Sequence, residues 1–304
     1  MKILLFGKDG QVGWELRRSL SCLGDLICLG RKEADLQNLP ALRGIIQHHQ
    51  PDILVNAAAY TAVDNAESDH STAQAINAIA VGVLAEEAAK HNAWIVHYST
   101  DYVYDGTKSS PYLESDLTSP LSVYGTTKRE GDELICEHNP KHLIFRTSWV
   151  YAARGRNFVK TVLSLAQKRD DLKVIDDQFG APTSAGLIAD VTSLVIYLLF
   201  QQSDQRRSDL AGTYHLVPAG ETNWFGVAQF VLEQAQARGL AIRVKPSQLL
   251  AISSDEYGLI AKRPKNSRMA TDKLRQTFGI QLPHWHYHLD LVLEDMLSRK
   301  NYES

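Results

Sequence analysis

Cysteine is scarce in this chain. Its three residues, Cys22, Cys28 and Cys136, are odd in number and form no C-x-x-C pair. That pattern excludes a disulfide framework and offers no zinc-site spacing. A reducing cytoplasm is the expected compartment. Long apolar runs are also missing: no stretch reaches the roughly 18 residues of a membrane span. The longest candidate, 187–200, is broken by Asp190 and reads as a buried helix. The opening MKILLFGKDG starts like a secretory signal, but its apolar run stops after five residues at a glycine and charges, so no signal peptide is expected. Neither charge sign dominates, since 32 basic residues against 35 acidic leave a net charge of -3. No basic excess points to nucleic acid, and no acidic tail points to disorder. Repeats and low-complexity segments are absent.

What remains is an ordinary globular composition. It is 44% hydrophobic and 22% charged over 304 residues, enough for a sizeable core and a second lobe. Short apolar runs alternate with amphipathic segments. Strands are expected at 2–6, 26–29, 52–59, 93–99 and 142–150. Helices are expected at 11–24, 39–49, 70–91 and 120–138, the last opened by Pro120. This order predicts a Rossmann-like, doubly wound parallel sheet over residues 1–150. Beyond 150 the alternation loosens. Short strands are expected in LKVIDDQ, GTYHLV and AIRVK, helices near 185–201, 223–238 and 284–298, and a loop at 201–210. A smaller C-terminal α/β substrate-binding lobe over 151–304 is expected, with a segment near 184–202 returning to the first domain.

Three features carry chemistry. The first is GKDGQVG, with Gly7, Gly10 and Gly13 between the first strand and first helix. Glycines there let the backbone turn tightly and approach a pyrophosphate at the helix N-terminus, beside Gln11 and Val12. The alternative is a turn that needs glycine for geometry alone. The second strand ends in Gly30 and Arg31, where NAD-selective domains usually carry an acid. Arg31 can meet a 2′-phosphate, so NADPH is favoured over NADH. Otherwise Arg31 is a solvated loop charge. Asp35 and Leu36 can border the adenine. NAAAYT ends the third strand, and its Ala59, Tyr60 and Thr61 fall where ligands lie in such sheets. The second feature is HYSTDYVY, which brings Ser99, Thr100 and Asp101 to the same rim. The third is VYGTTK: Tyr124 and Lys128, four apart, share a face if the segment is helical. Alone, that pair reads as an ordinary surface contact. With the other two features it reads as a proton donor and the charge that tunes it.

Together these stretches, with VHYSTDYVYDG, PLSVYGTTKREGD, DDQFGAPT and RPKNSR, resemble the extended short-chain dehydrogenase/reductases, and among them the dTDP-4-dehydrorhamnose reductases. The resemblance covers essentially the whole chain. It implies NAD(P)H-dependent reduction of the C4 ketone of dTDP-4-dehydro-L-rhamnose, in the synthesis of bacterial surface polysaccharide. It implies Tyr124 as the acid, Lys128 as the residue that holds the nicotinamide ribose and lowers the tyrosine pKa, and Thr100 as the donor to the sugar carbonyl. Tyr98 would border the cofactor, and Asp101 and Trp149 the sugar nucleotide. Arg263, assisted by Lys262, Asn266 and Ser267, can bind the diphosphate, although a basic run is as readily a solvated surface. Asn157 is a weaker candidate. For some members the resemblance also implies dimers joined through magnesium held by glutamates. Glu15 fits, but Gly186 stands where a glutamate is expected, and Glu294 or Asp295 would have to substitute. No metal site is therefore assigned, and a monomer or homodimer is expected. The rivals are another sugar-nucleotide reductase, an epimerase or dehydratase of the same superfamily, and a non-catalytic regulatory subunit. A dehydratase is expected to follow the strand-end threonine with an Asp-Glu pair, whereas this chain reads Thr100-Asp101-Tyr102. A regulatory subunit would not need Thr100, Tyr124 and Lys128 intact.

Overall fold

A computed structural model describes residues 1–258 and 260–298. Five parallel strands alternate with helices over the first half. They are β1 (Lys2–Phe6), β2 (Asp25–Leu29), β3 (Ile53–Asn56), β4 (Trp94–Thr100) and β5 (His142–Thr147). The sixth strand is Gly212–His215, parallel to β5. The sheet runs β2, β1, β3, β4, β5 and then Gly212–His215. The expected doubly wound parallel sheet is present. Its order reverses between β1 and β3, so the loops leaving those two strands diverge and open a crevice at the carboxyl edge.

Residue alternation along each strand divides the core into two layers. Ile3, Leu5, Val55, Val96 and Phe145 face one side, against Leu16 of helix α1 (Gln11–Ser19) and the helix Ala185–Phe200. Leu4, Phe6, Leu54, Ile95 and Ile144 face the other, against helix α2 (Leu39–His49), the helix Ala80–Lys90 and Ile135. A separate apolar cluster joins Val159, Val162, Leu172, Val231, Leu249 and Leu289. It is the smaller α/β region, with a parallel pair of short strands, Leu172–Ile175 and Leu249–Ile252. The helix Ala185–Phe200 and the sixth strand belong to the first layer even though they follow the first strand of that cluster.

Several elements differ from expectation. Helix 123–138 is opened by Ser122, whose Oγ accepts from Gly125 N at 3.2 Å, and Pro120 lies outside it. A side-chain oxygen satisfies a free N–H of the first turn, which a proline cannot do. The expected helix 70–91 contains a π turn at Ala75–Ile79. The last strand of the first half stops at Thr147, because Trp149 adopts φ 49° and breaks the pleat. The polar stretch after 201 holds a short helix, Asp204–Asp209. Residues 241–245 form no strand; Arg243 N bonds instead to Ala166 O at 2.8 Å. Among the described residues, no helix is long and apolar enough to cross a membrane.

Candidate active site

The turn after β1 is built by steric exclusion. Gly7 has φ +85°, and a Cβ there would lie 2.6 Å from Ala58 N. A Cβ on Gly13 would lie 1.9 Å from Gly7 O, so Gly13 lets α1 close onto the turn. Gly10 differs: a Cβ there would meet nothing closer than 3.4 Å. Protein packing does not demand that glycine, which lines the open side of the crevice. No side chain caps the N-terminus of α1, so its first N–H groups are available. An anion-binding cradle is present and fits a dinucleotide pyrophosphate.

From this cradle a cleft of about 820 Å³ runs along the carboxyl edge of the sheet. It is lined by Gly7, Gly10, Gln11 and Val12, by Arg31, Asp35 and Leu36, and by Ala59 and Thr61. Further along it is lined by Tyr98, Thr100, Asp101, Tyr124, Lys128, Trp149 and Arg263. Segments some 250 residues apart in sequence thus share one cavity.

Six expected residues do not line this cleft: Gly13, Tyr60, Asn157, Asn266, the exposed Lys262 and the buried Ser267. Gly13 is buried behind the turn as a packing contact. Tyr60 points its hydroxyl at Asp69 (3.4 Å), while its backbone N–H and C=O are both held by Asn77. Asn266 is buried and donates to the carbonyls of Lys108 and Ser110 at 2.6 and 2.9 Å, bracing a loop. A polar residue in a basic run reads from sequence like a ligand, and only packing shows that its amide is already committed. Asn157 likewise spends its amide on Gln11 Oε1 and Ala152 O. Arg31 is mostly exposed, 3.9 Å from Asp35.

The helix 123–138 carries Tyr124 and Lys128 on the face toward β4. Tyr124 is partly buried, with its ring edge-on to Tyr102 at 5.6 Å. Burial pushes its phenol above the ordinary range, and a hydrogen bond with Thr100 opposes that. Lys128 is 1% exposed. Its Nζ donates to Tyr98 O at 2.6 Å and lies 2.8 Å from His97 Nε2. Burial lowers the lysine pKa to about 8, and Asp132 pulls it back upward. Thr100 donates to Asp101 Oδ1 at 3.1 Å. Asp101 Oδ2 is buried without a hydrogen bond of ordinary geometry, and burial raises that carboxyl to about 6, opposed by the hydroxyls of Ser267 and Thr100. An unsatisfied oxygen at a cleft wall is suited to a ligand hydroxyl.

The far end of the cleft is aromatic and basic. Trp149 stacks on Trp224 at 4.0 Å, and Trp224 Nε1 donates to Gln178 Oε1. Trp224 lines the cleft and escaped the sequence reading, because Trp-Phe at the start of an amphipathic helix reads as core. Arg263 pairs with Asp64 at 2.9 Å and leaves Nε buried without a partner, a donor suited to an anionic oxygen. Asn56 and His97, beneath Lys128, were also missed; strand residues ahead of a motif carry no local signal. On helix α1, Glu15 has its carboxyl raised by burial, with Asp190 and Asp295 adding to the rise and Arg18 opposing it. Among the described residues, no group of three or more His, Cys, Asp or Glu could hold a metal ion.

A family model described as "RmlD substrate binding domain" matches residues 1–298. The chain is 46% identical over 302 residues to dTDP-4-dehydrorhamnose reductase of Escherichia coli K12, covering 98% of this chain and 99% of that one. A dTDP-4-dehydrorhamnose reductase structure from Clostridium acetobutylicum is similar at TM-score 0.87 and 34% identity, over 97% of this chain and 99% of that one. Another, from Bacillus anthracis in complex with NADP, is similar at TM-score 0.86 and 32% identity, over 97% and 100%. With a family model over residues 1–298, a matching fold and relatives aligned end to end, the chain belongs to the dTDP-4-dehydrorhamnose reductase family of the extended short-chain dehydrogenase/reductases.

Proposed function

We propose that the chain reduces the C4 ketone of dTDP-4-dehydro-L-rhamnose to give dTDP-L-rhamnose, a step in dTDP-rhamnose synthesis for surface polysaccharide. The observation that carries this reading is one cleft holding both the glycine cradle and Thr100, Tyr124 and Lys128. The E. coli relative of the same name, aligned over nearly all of both chains, supports the substrate.

Bound reduced nicotinamide supplies a hydride to the ketone carbon. The protein supplies everything else. Thr100 donates a hydrogen bond to the carbonyl oxygen and holds it beside Tyr124. Tyr124 gives its proton to the oxygen as negative charge develops there. Lys128 holds ribose hydroxyls and, once charged, favours the phenolate that results. Asp101 Oδ2 accepts from a sugar hydroxyl. Trp149 and Trp224 present an apolar wall, and Arg263 donates from Nε to the diphosphate.

NADPH is preferred over NADH in this reading. Arg31 lines the adenine end, where β2 leads into Gly30 and Arg31, and the nearby carboxylates come from Asp9 in the glycine turn and from Glu33, which accepts from Gly30 N at 2.9 Å. The B. anthracis relative was solved with NADP. Arg31→Ala is expected to lower the NADPH-over-NADH ratio of kcat/KM by about tenfold, the scale of one exposed charge-assisted contact of roughly 1.5 kcal/mol. An unchanged ratio removes Arg31 from cofactor selection.

The decisive assay mixes purified protein with dTDP-4-dehydro-L-rhamnose and either reduced cofactor, follows nicotinamide oxidation and identifies the sugar. Formation of dTDP-L-rhamnose is expected. Folded protein that binds NADPH but leaves this sugar unreacted overturns the proposal.

A further inference from the structure

Among the described residues, no carboxylate lies within ion-pair distance of the buried Lys128 amino group. Among the described residues, its contacts are one carbonyl, Tyr98 O, and one ring nitrogen, His97 Nε2. His97 is itself 1% exposed. Its other nitrogen, Nδ1, lies 3.1 Å from Asn56 Nδ2. The amide of Asn56 is oriented by a third contact: Ala58 N donates to Asn56 Oδ1 at 3.1 Å. Turning the amide over would set Nδ2 against that N–H, two donors facing each other. Asn56 Nδ2 therefore donates, and His97 Nδ1 accepts. A neutral imidazole accepting at Nδ1 carries its proton on Nε2, the nitrogen that faces Lys128. An ammonium has three donors and no acceptor, so it cannot receive that hydrogen. An uncharged amine can.

We propose that His97 is a positioning residue for Lys128: fixed in its Nε2–H tautomer by Asn56, it donates to the Lys128 amine and favours the uncharged form of that side chain in the cofactor-free enzyme. The chain of contacts runs Ala58 N–H, Asn56, His97, Lys128, Tyr98 O, and each member has a donor facing an acceptor only in this state. The buried site then carries no unpaired ammonium before a ligand arrives. Lys128 takes up its proton when ligand oxygens offer acceptors.

Other groups facing the pair are consistent with this. Asp132, one turn along the same helix, favours the charged lysine, but its Oδ2 is engaged by Ser99 Oγ at 2.7 Å and by Arg146 of β5 at 3.4 Å, its Oδ1 is buried without a hydrogen bond, and burial raises its carboxyl. Tyr124 and Tyr98 are protonated phenols whose pKa values burial raises. Asn77, on the π turn, contributes only an uncharged contact to Thr127. Burial holds His97 well below the ordinary histidine range, so imidazolium does not compete.

The proposal rests on Lys128 belonging to the reductase site, but its first test needs no substrate. In ¹⁵N-histidine-labelled, cofactor-free protein, long-range proton–nitrogen correlation above pH about 8 reports the His97 tautomer. Nε2 protonated with Nδ1 bare is expected; an Nδ1–H tautomer or a doubly protonated ring overturns the proposal. The second test is His97→Gln, whose amide oxygen reaches the Nε2 position and accepts from an ammonium. The Lys128 limb in the pH profile of kcat/KM is expected to move upward by about one unit, a tenfold change in proton affinity. A variant with lower kcat or Tm but an unmoved limb marks a merely structural histidine and overturns the proposal. If the variant fails to fold, the tautomer measurement on the native chain decides alone.

Discussion

At the residue scale, the chemistry turns on what Lys128 does for Tyr124. The i,i+4 spacing brings both to one face, as helical geometry requires. Burial is the largest influence on the phenol and raises it, and a hydrogen bond with Thr100 opposes that rise. Tyr124→Phe removes the proton donor but keeps the ring against Tyr102. It is expected to lower kcat by about 10²–10⁴-fold with cofactor binding retained, measured by steady-state kinetics and NADPH titration. A loss of less than about tenfold assigns the proton to another donor. Gly13 makes the opposite kind of prediction. Its hypothetical Cβ collides with a backbone carbonyl that cannot swing aside. Gly13→Ala is expected to destabilise the chain by about 1–3 kcal/mol, read by urea unfolding, and to weaken cofactor binding through the displaced turn.

At the element scale, caps and turns aim the chemistry. Ser122 sits two residues ahead of Tyr124, so the bond that starts the helix also sets the phenol's position. Glu67 adds a second anchor by accepting from Val123 N at 2.8 Å. Ser122→Ala is expected to cost about 1 kcal/mol of stability. Its effect on kcat is expected to exceed its effect on cofactor KM, because fraying there moves Tyr124 more than Lys128, a turn further in. Equal losses in both would detach the cap from the chemistry. Most helix and strand positions were legible beforehand, including α2 to the residue, because their apolar period is local. Pro120 misled as a helix opener because a capping side chain, absent from periodicity, does that work. The π turn at Ala75–Ile79 was not legible: it shifts the helix register by one residue so that Asn77 reaches Tyr60 and Thr127, a demand set by tertiary neighbours.

At the scale of the whole molecule, a buried polar chain ties the site to the late strand. Arg146 of β5 donates to Tyr104 Oη at 2.8 Å, and Tyr104 Oη lies 2.8 Å from His215 Nε2 on the sixth strand. His215 Nδ1 bonds Ala270 O, and Glu114 accepts from the His215 backbone N–H. Burial lowers the His215 pKa from 6.5 to about 3, with the Arg146 charge adding to it. The folded chain therefore keeps His215 neutral where the unfolded chain protonates it. Protons favour the unfolded state below pH 6.5, so the stability His215 contributes is present above that pH and lost as pH falls toward 3. The stability advantage of the native chain over His215→Gln is expected to shrink below pH 6.5 by about 1.4 kcal/mol per unit. Urea unfolding of both proteins at several pH values measures this, and a pH-independent difference removes His215 as the titrating group.

Much of the site was determined by the sequence alone, and for one reason: its parts are local. A glycine turn between strand and helix, a hydroxyl at a strand end and Tyr-x-x-x-Lys each follow from backbone sterics or helical period over a few residues. The β-α alternation likewise requires a parallel sheet whose carboxyl edge collects those parts. Only the tertiary structure decided what depends on which distant segments touch. Trp224 slides over Trp149, Arg263 faces the cleft while Asn266 turns away, and residues 212–215 complete a sheet begun at residue 2. His97 and Asn56 come to lie beneath Lys128 because β3 and β4 are neighbours in register, with Asn56 paired to His97. Strand adjacency is a property of the packed sheet, set by burial of both faces at once, and no window of sequence contains it.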